Sequence, residues 1–170
     1  MAETIQQYMQ RLLSNTEGQD PIKIQSGTNK QLARLIKGVS TAKLRKKPAP
    51  DKWSVAEILA HLADVEIVIG WRIRSVLGNP GTPIQAYDQD SWVASGHYEK
   101  RDPAKALELH RVLREANLAL LKSLTPEQWK QSGQHAERGE ESVERMVRMI
   151  AGHDINHLQQ VERILKPART

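Results

Sequence analysis

Residues 146–165 read MVRMIAGHDINHLQQVERIL. Together with Val143 just before them, they carry apolar side chains at Val143, Met146, Val147, Ile150, Leu158, Val161, Ile164 and Leu165. Steps of three and four residues put these side chains on one face of a helix turned toward a core. The stripe has a gap. Continued from Ile150, it places His153, Asp154 and His157 where Leu or Val would be expected. Histidines at i and i+4 stand one above the other, with Cβ atoms about 5–6 Å apart. One metal ion can therefore take a nitrogen from each, at about 2.0–2.1 Å. The plainer alternative is two buried histidines bonded to carboxylates or carbonyls. A third inward histidine elsewhere in the chain moves the reading further toward the metal.

The 170 residues suit one domain spanning 1–170, long enough to bury a core without staples. There is no cysteine, which excludes disulfides, cysteine zinc fingers and a thiol nucleophile belonging to the chain. Any metal must be held by His, Asp or Glu. Residues 1–16 include Glu3 and Arg11 and lack a continuous apolar run, unlike a signal peptide. No stretch of about 18 apolar residues is present to span a membrane. These features lead to a cytoplasmic expectation. The net charge of +5 is mild and dispersed. Its densest cluster, Lys43, Arg45, Lys46 and Lys47, lies beside prolines and lacks interleaved aromatics, so it reads as a solvated loop and not a nucleic-acid surface.

Periodicity and caps predict the remaining elements. Ile5, Tyr8, Met9, Leu12 and Leu13 predict a short N-terminal helix, with Gly18 beyond its end. Asp20-Pro21 is a cap followed by a first-turn proline, and Leu32, Leu35, Ile36 and Val39 predict a second helix within 21–38. One helical turn is expected near 41–44 in the Pro-bearing loop that follows. Ser54-Val55-Ala56-Glu57 is a capping box opening a long helix that Gly78-Asn79-Pro80-Gly81 stops. A connector over 82–98 carries Tyr87, Trp92 and Tyr98, with one short helix near 88–94. Its length and aromatic content make Tyr87 and Trp92 candidates to cover a pocket, or simply to pack on the outside. Asp102-Pro103 opens a helix to 123, Thr125-Pro126 a short turn, and 130–141 is a polar loop or extended segment. The final helix runs 142–165, ended by Lys166-Pro167. No strand pattern is evident. Four substantial helices with one long crossover describe an all-α helical bundle.

In the long helix, Ile58, His61, Val65 and Val68 share an apolar row, so His61 is the third inward histidine. Packed helices lie about 8–10 Å apart, a span that histidines from two neighbours can bridge to one ion. Three imidazole nitrogens with an open position form a catalytic type of site. Zinc, nickel, manganese and iron all suit such ligands. The motif W-S-x-x-E-I-L-x-H-L-x-D-x-E at 53–66, with H-D-x-x-H-L-x-Q at 153–160, resembles the DinB-like superfamily, in particular its YfiT-like proposed metal-dependent hydrolases and bacillithiol transferases. The Y-D-Q-D-S-W stretch at 87–92 and the G-x-H…G-E stretch at 133–140 are also similar. The likeness covers about 20–165. It implies a four-helix bundle in up-down-down-up order, often dimeric, with a divalent metal on His61, His153 and His157.

Other polar residues are candidates to support that site. Glu57, one turn before His61, suits a general base or the capping box. Asp64 suits a ligand-orienting contact or an ordinary hydrogen bond. Asp154 suits a carboxylate receiving a histidine N–H, or pairing with Arg72, Arg111 or Arg114. His97, His110 and His135 read as ordinary surface or bundle residues. The resemblance implies an enzyme acting on a small molecule, by transfer of a low-molecular-weight thiol or by hydrolysis. The alternative is a non-catalytic, metal-stabilised binding module. No residue specifies the substrate.

Overall fold

The computed structural model of the chain describes residues 3–166. Eight helices follow in order: α1 (Ile5–Ser14), α2 (Pro21–Ile36), α3 (Thr41–Arg45), α4 (Val55–Gly78), α5 (Gln89–Ser95), α6 (Pro103–Lys122), α7 (Pro126–Lys130) and α8 (Val143–Leu165). Their starts coincide with local capping chemistry. Thr4, Ser54 and Thr125 complete capping boxes with Gln7, Glu57 and Gln128. Asp20 and Asp102 accept from two amides each ahead of a first-turn proline. Pro167, expected to follow the last helix, lies outside the described residues.

α2, α4, α6 and α8 form a four-helix bundle whose directions follow from the two halves of its core. In one half, Leu32 of α2, Ile58–Leu62 of α4, Ala106 of α6 and Val161 of α8 pack together. In the other, Ile22, Ile73 and Val76, Leu121, and Val143 to Val147 do so. The early residues of α4 and α6 thus meet the late residues of α2 and α8. The order is up-down-down-up, and α4 and α6 are parallel neighbours. A parallel pair needs a long return. The stretch from Asn79 to Asp102, carrying α5 and a 3₁₀ turn at Tyr98–Lys100, provides it.

α1 lies across α8. A Cβ on Gly152 would sit 1.9 Å from the Leu12 carbonyl oxygen, so only glycine permits this approach. Met9 and Leu12 are buried by it. None of the described helices is long and apolar enough to cross a membrane.

The expectation of no strands is corrected. β1 (Pro83–Ile84), β2 (Ser132–His135) and β3 (Gly139–Ser142) form a three-stranded sheet. β1 and β2 run parallel, and β2 and β3 form an antiparallel hairpin with Gly139 at φ +75°. The inward positions are Gly133, His135 and Glu141, so the alternation that normally betrays a strand is absent from the apolar residues. Gly133 is needed because Val76, Ile84 and the Thr82 carbonyl crowd its Cα. Glu141 is neutralised by Arg138, at 2.7 and 2.8 Å through two nitrogens.

Candidate metal centre

α4 and α8 are antiparallel neighbours, and their inward stripes bring three imidazoles together. His61 Nε2 lies 3.0 Å from His153 Nε2, and His157 Nε2 lies 3.1 Å from the same atom. All three residues are buried. Their rings stand 4.3–5.1 Å apart, centre to centre, and steeply inclined, so nitrogens converge where stacking faces do not. Trp53 closes one side, tilted against His61 at 4.9 Å and parallel to His157 at 6.4 Å.

The arrangement suits a cation better than it suits three neutral imidazoles alone. Each neutral ring carries one N–H. The Gln160 amide oxygen, 2.9 Å from His157 Nδ1, accepts that hydrogen and leaves Nε2 as a lone pair. His153 Nε2 faces two nitrogens and can share a single hydrogen with only one of them. Its Nδ1 is buried without a partner among the described residues. A divalent ion bonded at about 2.0–2.1 Å would use all three lone pairs, since tetrahedral ligands at that radius lie roughly 3.3 Å apart. No other Asp, Glu or His among the described residues joins this group, so a bound ion would retain an open position.

Burial keeps the three imidazoles in the state metal binding needs. It holds His61 well below the usual imidazole range, with help from His157. It does the same for His153, reinforced by both other imidazoles and by Arg114. His157 is lowered to about 4 by burial, against the opposing bond to Gln160. Neutral imidazole is the ligating form.

The neighbouring carboxylates are otherwise engaged. Glu57 bonds the Ser54 amide at 2.7 Å within its capping box and pairs with Lys47 at 3.0 Å. Asp64 accepts from the Tyr98 hydroxyl at 2.5 Å and from Arg101 at 2.8 Å. Asp154 accepts from Arg114 at 2.6 and 3.1 Å and from Thr28 at 2.8 Å, not from a histidine. Arg114 also holds Glu66 at 2.8 Å, and Asn117 donates to the other Glu66 oxygen at 3.0 Å. Sequence reasoning missed Glu66 and Asn117. A run of three- and four-residue steps through Leu62 and Ile69 would have shown Glu66 facing inward, though not its partner.

His110 and His135 are both buried but stand apart from the three candidate ligands. His110 Nδ1 meets the Asn29 amide at 3.0 Å, and His135 Nδ1 accepts from the Glu137 amide at 3.1 Å. His97 is largely solvent-facing, in left-handed backbone at φ 48°.

A cavity of about 360 Å³ opens onto His153. Tyr87 of the long connector lines it, as do Val65, Ile69, Met149 and Ile150 from the helices. Trp92 does not line this cavity. It packs on Tyr87 at 4.8 Å and borders a separate hollow with Ile67 and Trp71.

Known proteins share this architecture. YfiT from Bacillus subtilis, described as a probable metal-dependent hydrolase with an unusual four-helix bundle topology, superposes with a TM-score of 0.78 at 21% identity, covering 96% of this chain and 88% of that one. A mycothiol-dependent maleylpyruvate isomerase superposes at 0.62 with 13% identity, over 79% of this chain and 58% of that longer one. At such identities the likeness bears on the fold. A proposed metal-dependent hydrolase of Oceanobacillus iheyensis is 25% identical over 140 residues, 82% of this chain and 79% of its own. A sequence profile of the DinB superfamily matches residues 26–161, from the middle of α2 nearly to the end of α8 and across all three histidines. The chain belongs to the DinB superfamily.

Proposed function

We propose that this protein is a metal-dependent enzyme that brings a nucleophile from outside the chain to a small electrophilic molecule. The observation carrying this reading is the convergence of three buried Nε2 atoms, 3.0 and 3.1 Å apart, beside an apolar-walled cavity that reaches His153. His61, His153 and His157 would hold one divalent ion: zinc, nickel, manganese or iron. Such an ion lowers the pKa of a nucleophile that reaches it. The imidazoles are buried, with the Trp53 ring against His61 and His157. The relatives named as metal-dependent hydrolases support a metal-dependent reading.

Of the two available nucleophiles, a low-molecular-weight thiol fits better than water. Glu57, Asp64 and Asp154 are each bound to at least two donors, so none is free as a proton acceptor beside the imidazoles. A thiol ionises far more readily than water, so it depends far less on such an acceptor. The chain has no cysteine to serve instead. In the reaction, sulfur bonds to the electrophilic carbon, the leaving group departs with its electron pair, and the thiol proton goes to solvent. Hydrolysis is the second reading, favoured by the names of the relatives. A cytoplasmic, homodimeric enzyme fits both, with the exposed Ile67 and Trp71 of α4 as the apolar surface available to a second copy.

The test is an assay of protein loaded with zinc, nickel or manganese against thiol–acceptor pairs and against simple esters and amides. Thiol-dependent turnover that His61→Ala abolishes is expected. Turnover without thiol would move the reading to hydrolysis. Full metal occupancy with no turnover on either panel would favour a non-catalytic binding module.

A further inference from the structure

The cavity on His153 has three zones along its length, and the third has no role in the reading above. At one end is His153, which links the cavity to the other two imidazoles. The middle is apolar, walled by Val65 and Ile69 of α4 and by Met149 and Ile150 of α8. At the far end, Arg72, Tyr87, Arg138 and Glu141 come together. His61, Val65, Ile69 and Arg72 follow one stripe of α4. Eleven residues at 1.5 Å place Arg72 roughly 16 Å along the helix axis from His61.

The charges at this far end do not cancel. Glu141 is fully buried and taken by Arg138 through two nitrogens. Arg72 donates to the Gln85 carbonyl and lies over the Tyr87 ring at 5.6 Å, with no carboxylate in ion-pair contact among the described residues. Burial, and then the Arg138 charge, act against the positive charge on Arg72, while Tyr87 and Glu141 favour it. Three other acids border the cavity, but all are exposed at its mouth: Asp88, Asp90 and Glu137. Asp88 is already engaged by the amides of Asp90 and Ser91. Arg72, partly buried, is therefore the cation of this zone without a carboxylate in contact among the described residues, beside a phenol that burial keeps protonated. A planar guanidinium is suited to a carboxylate, which it binds through two parallel N–H groups.

We propose that the cavity selects a small molecule bearing a carboxylate on an apolar body, with the carboxylate on Arg72 and the opposite end at the imidazoles. This names the substrate class for the enzyme proposed above and rests on that reading. Arg72 is then a specificity-determining residue, set apart from the metal ligands by the apolar zone.

The probes are 3-phenylpropionate and its uncharged amide, titrated by calorimetry into metal-free and zinc-loaded protein. On metal-free protein the carboxylate is expected to bind at least tenfold more tightly than the amide. Arg72→Gln should erase that preference, and Arg72→Lys should keep part of it. Circular dichroism and zinc stoichiometry should match wild type in both variants. Equal binding of the two probes, no carboxylate binding at all, or a preference that survives Arg72→Gln would overturn the proposal. Failure of the metal reading shows separately, as absent zinc binding with the Arg72-dependent preference intact.

Discussion

Arg114 of α6 and Asp154 of α8 meet at 2.6 Å in the interior, one residue from the candidate ligand His153. The same guanidinium holds Glu66 of α4 at 2.8 Å, five residues from His61. One side chain thus ties together the two helices that carry the three imidazoles. Side-chain exposures of 1–3% keep these charges out of contact with bulk solvent.

Removing the guanidinium would strand two buried carboxylates. Arg114→Met is expected to destabilise the fold by about 3–5 kcal/mol. For a chain of this length the melting temperature should fall by on the order of 10 °C. Thermal unfolding followed by circular dichroism measures this. A loss below about 1 kcal/mol would mean that the network contributes little.

Gly152 precedes His153 directly and lies against the Leu12 carbonyl. Alanine in its place gains about 1 kcal/mol in helix propensity. The clash with backbone at 1.9 Å cannot be relieved by a side-chain rotation, so α1 must shift. Gly152→Ala is expected to be net destabilising by about 1–3 kcal/mol. Limited proteolysis should show faster cleavage between α1 and α2.

Glu57 separates a structural from a catalytic assignment. Its carboxylate accepts from the Ser54 amide, a bond that glutamine can also make. Glu57→Gln loses the ion pair with Lys47 and is expected to cost about 1 kcal/mol of stability. Zinc affinity and turnover should change less than threefold. A drop of a hundredfold or more in turnover at normal zinc content would restore Glu57 as a proton acceptor.

The helix ends were legible because capping chemistry is local. Ser54 with Glu57, and Asp102 before Pro103, mark starts that the structure keeps. The three histidines stood out because each replaces an apolar residue in an apolar row. The hairpin did not, because its inward positions are held by Gly133, His135 and Glu141. The ion network was partly hidden for a related reason. Asp154 appeared inward and Arg114 was one of several possible partners, but Glu66 and Asn117 look like ordinary polar helix residues until α6 is known to run parallel to α4. That direction depends on the crossover, which local pattern does not encode.

The imidazoles predict the response of the metal-free protein to acid. In the unfolded chain they titrate near 6.5. In the fold all three are lower, His157 at about 4. Between those values the unfolded chain binds more protons, so stability rises with pH. The full stability is present above about 6.5 and is lost as pH falls below it. For His157 alone the loss at pH 5 is about 2 kcal/mol. His110 and His135 are lowered too, by burial first, and contribute in the same direction. Urea unfolding at pH 7.5 and pH 5 should therefore show a smaller difference for His157→Gln than for wild type. Equal differences would contradict the assignment of His157 as a buried neutral group.

The central claim is that His61, His153 and His157 share one cation. Cobalt titration of protein purified without nickel resin, followed by visible absorption and elemental analysis, tests it most directly. One ion per chain is expected, with bands of a low-coordinate nitrogen-rich site and at least a hundredfold weaker binding in each of His61→Ala, His153→Ala and His157→Ala. Undiminished binding in all three variants, or none in the wild type, would contradict it.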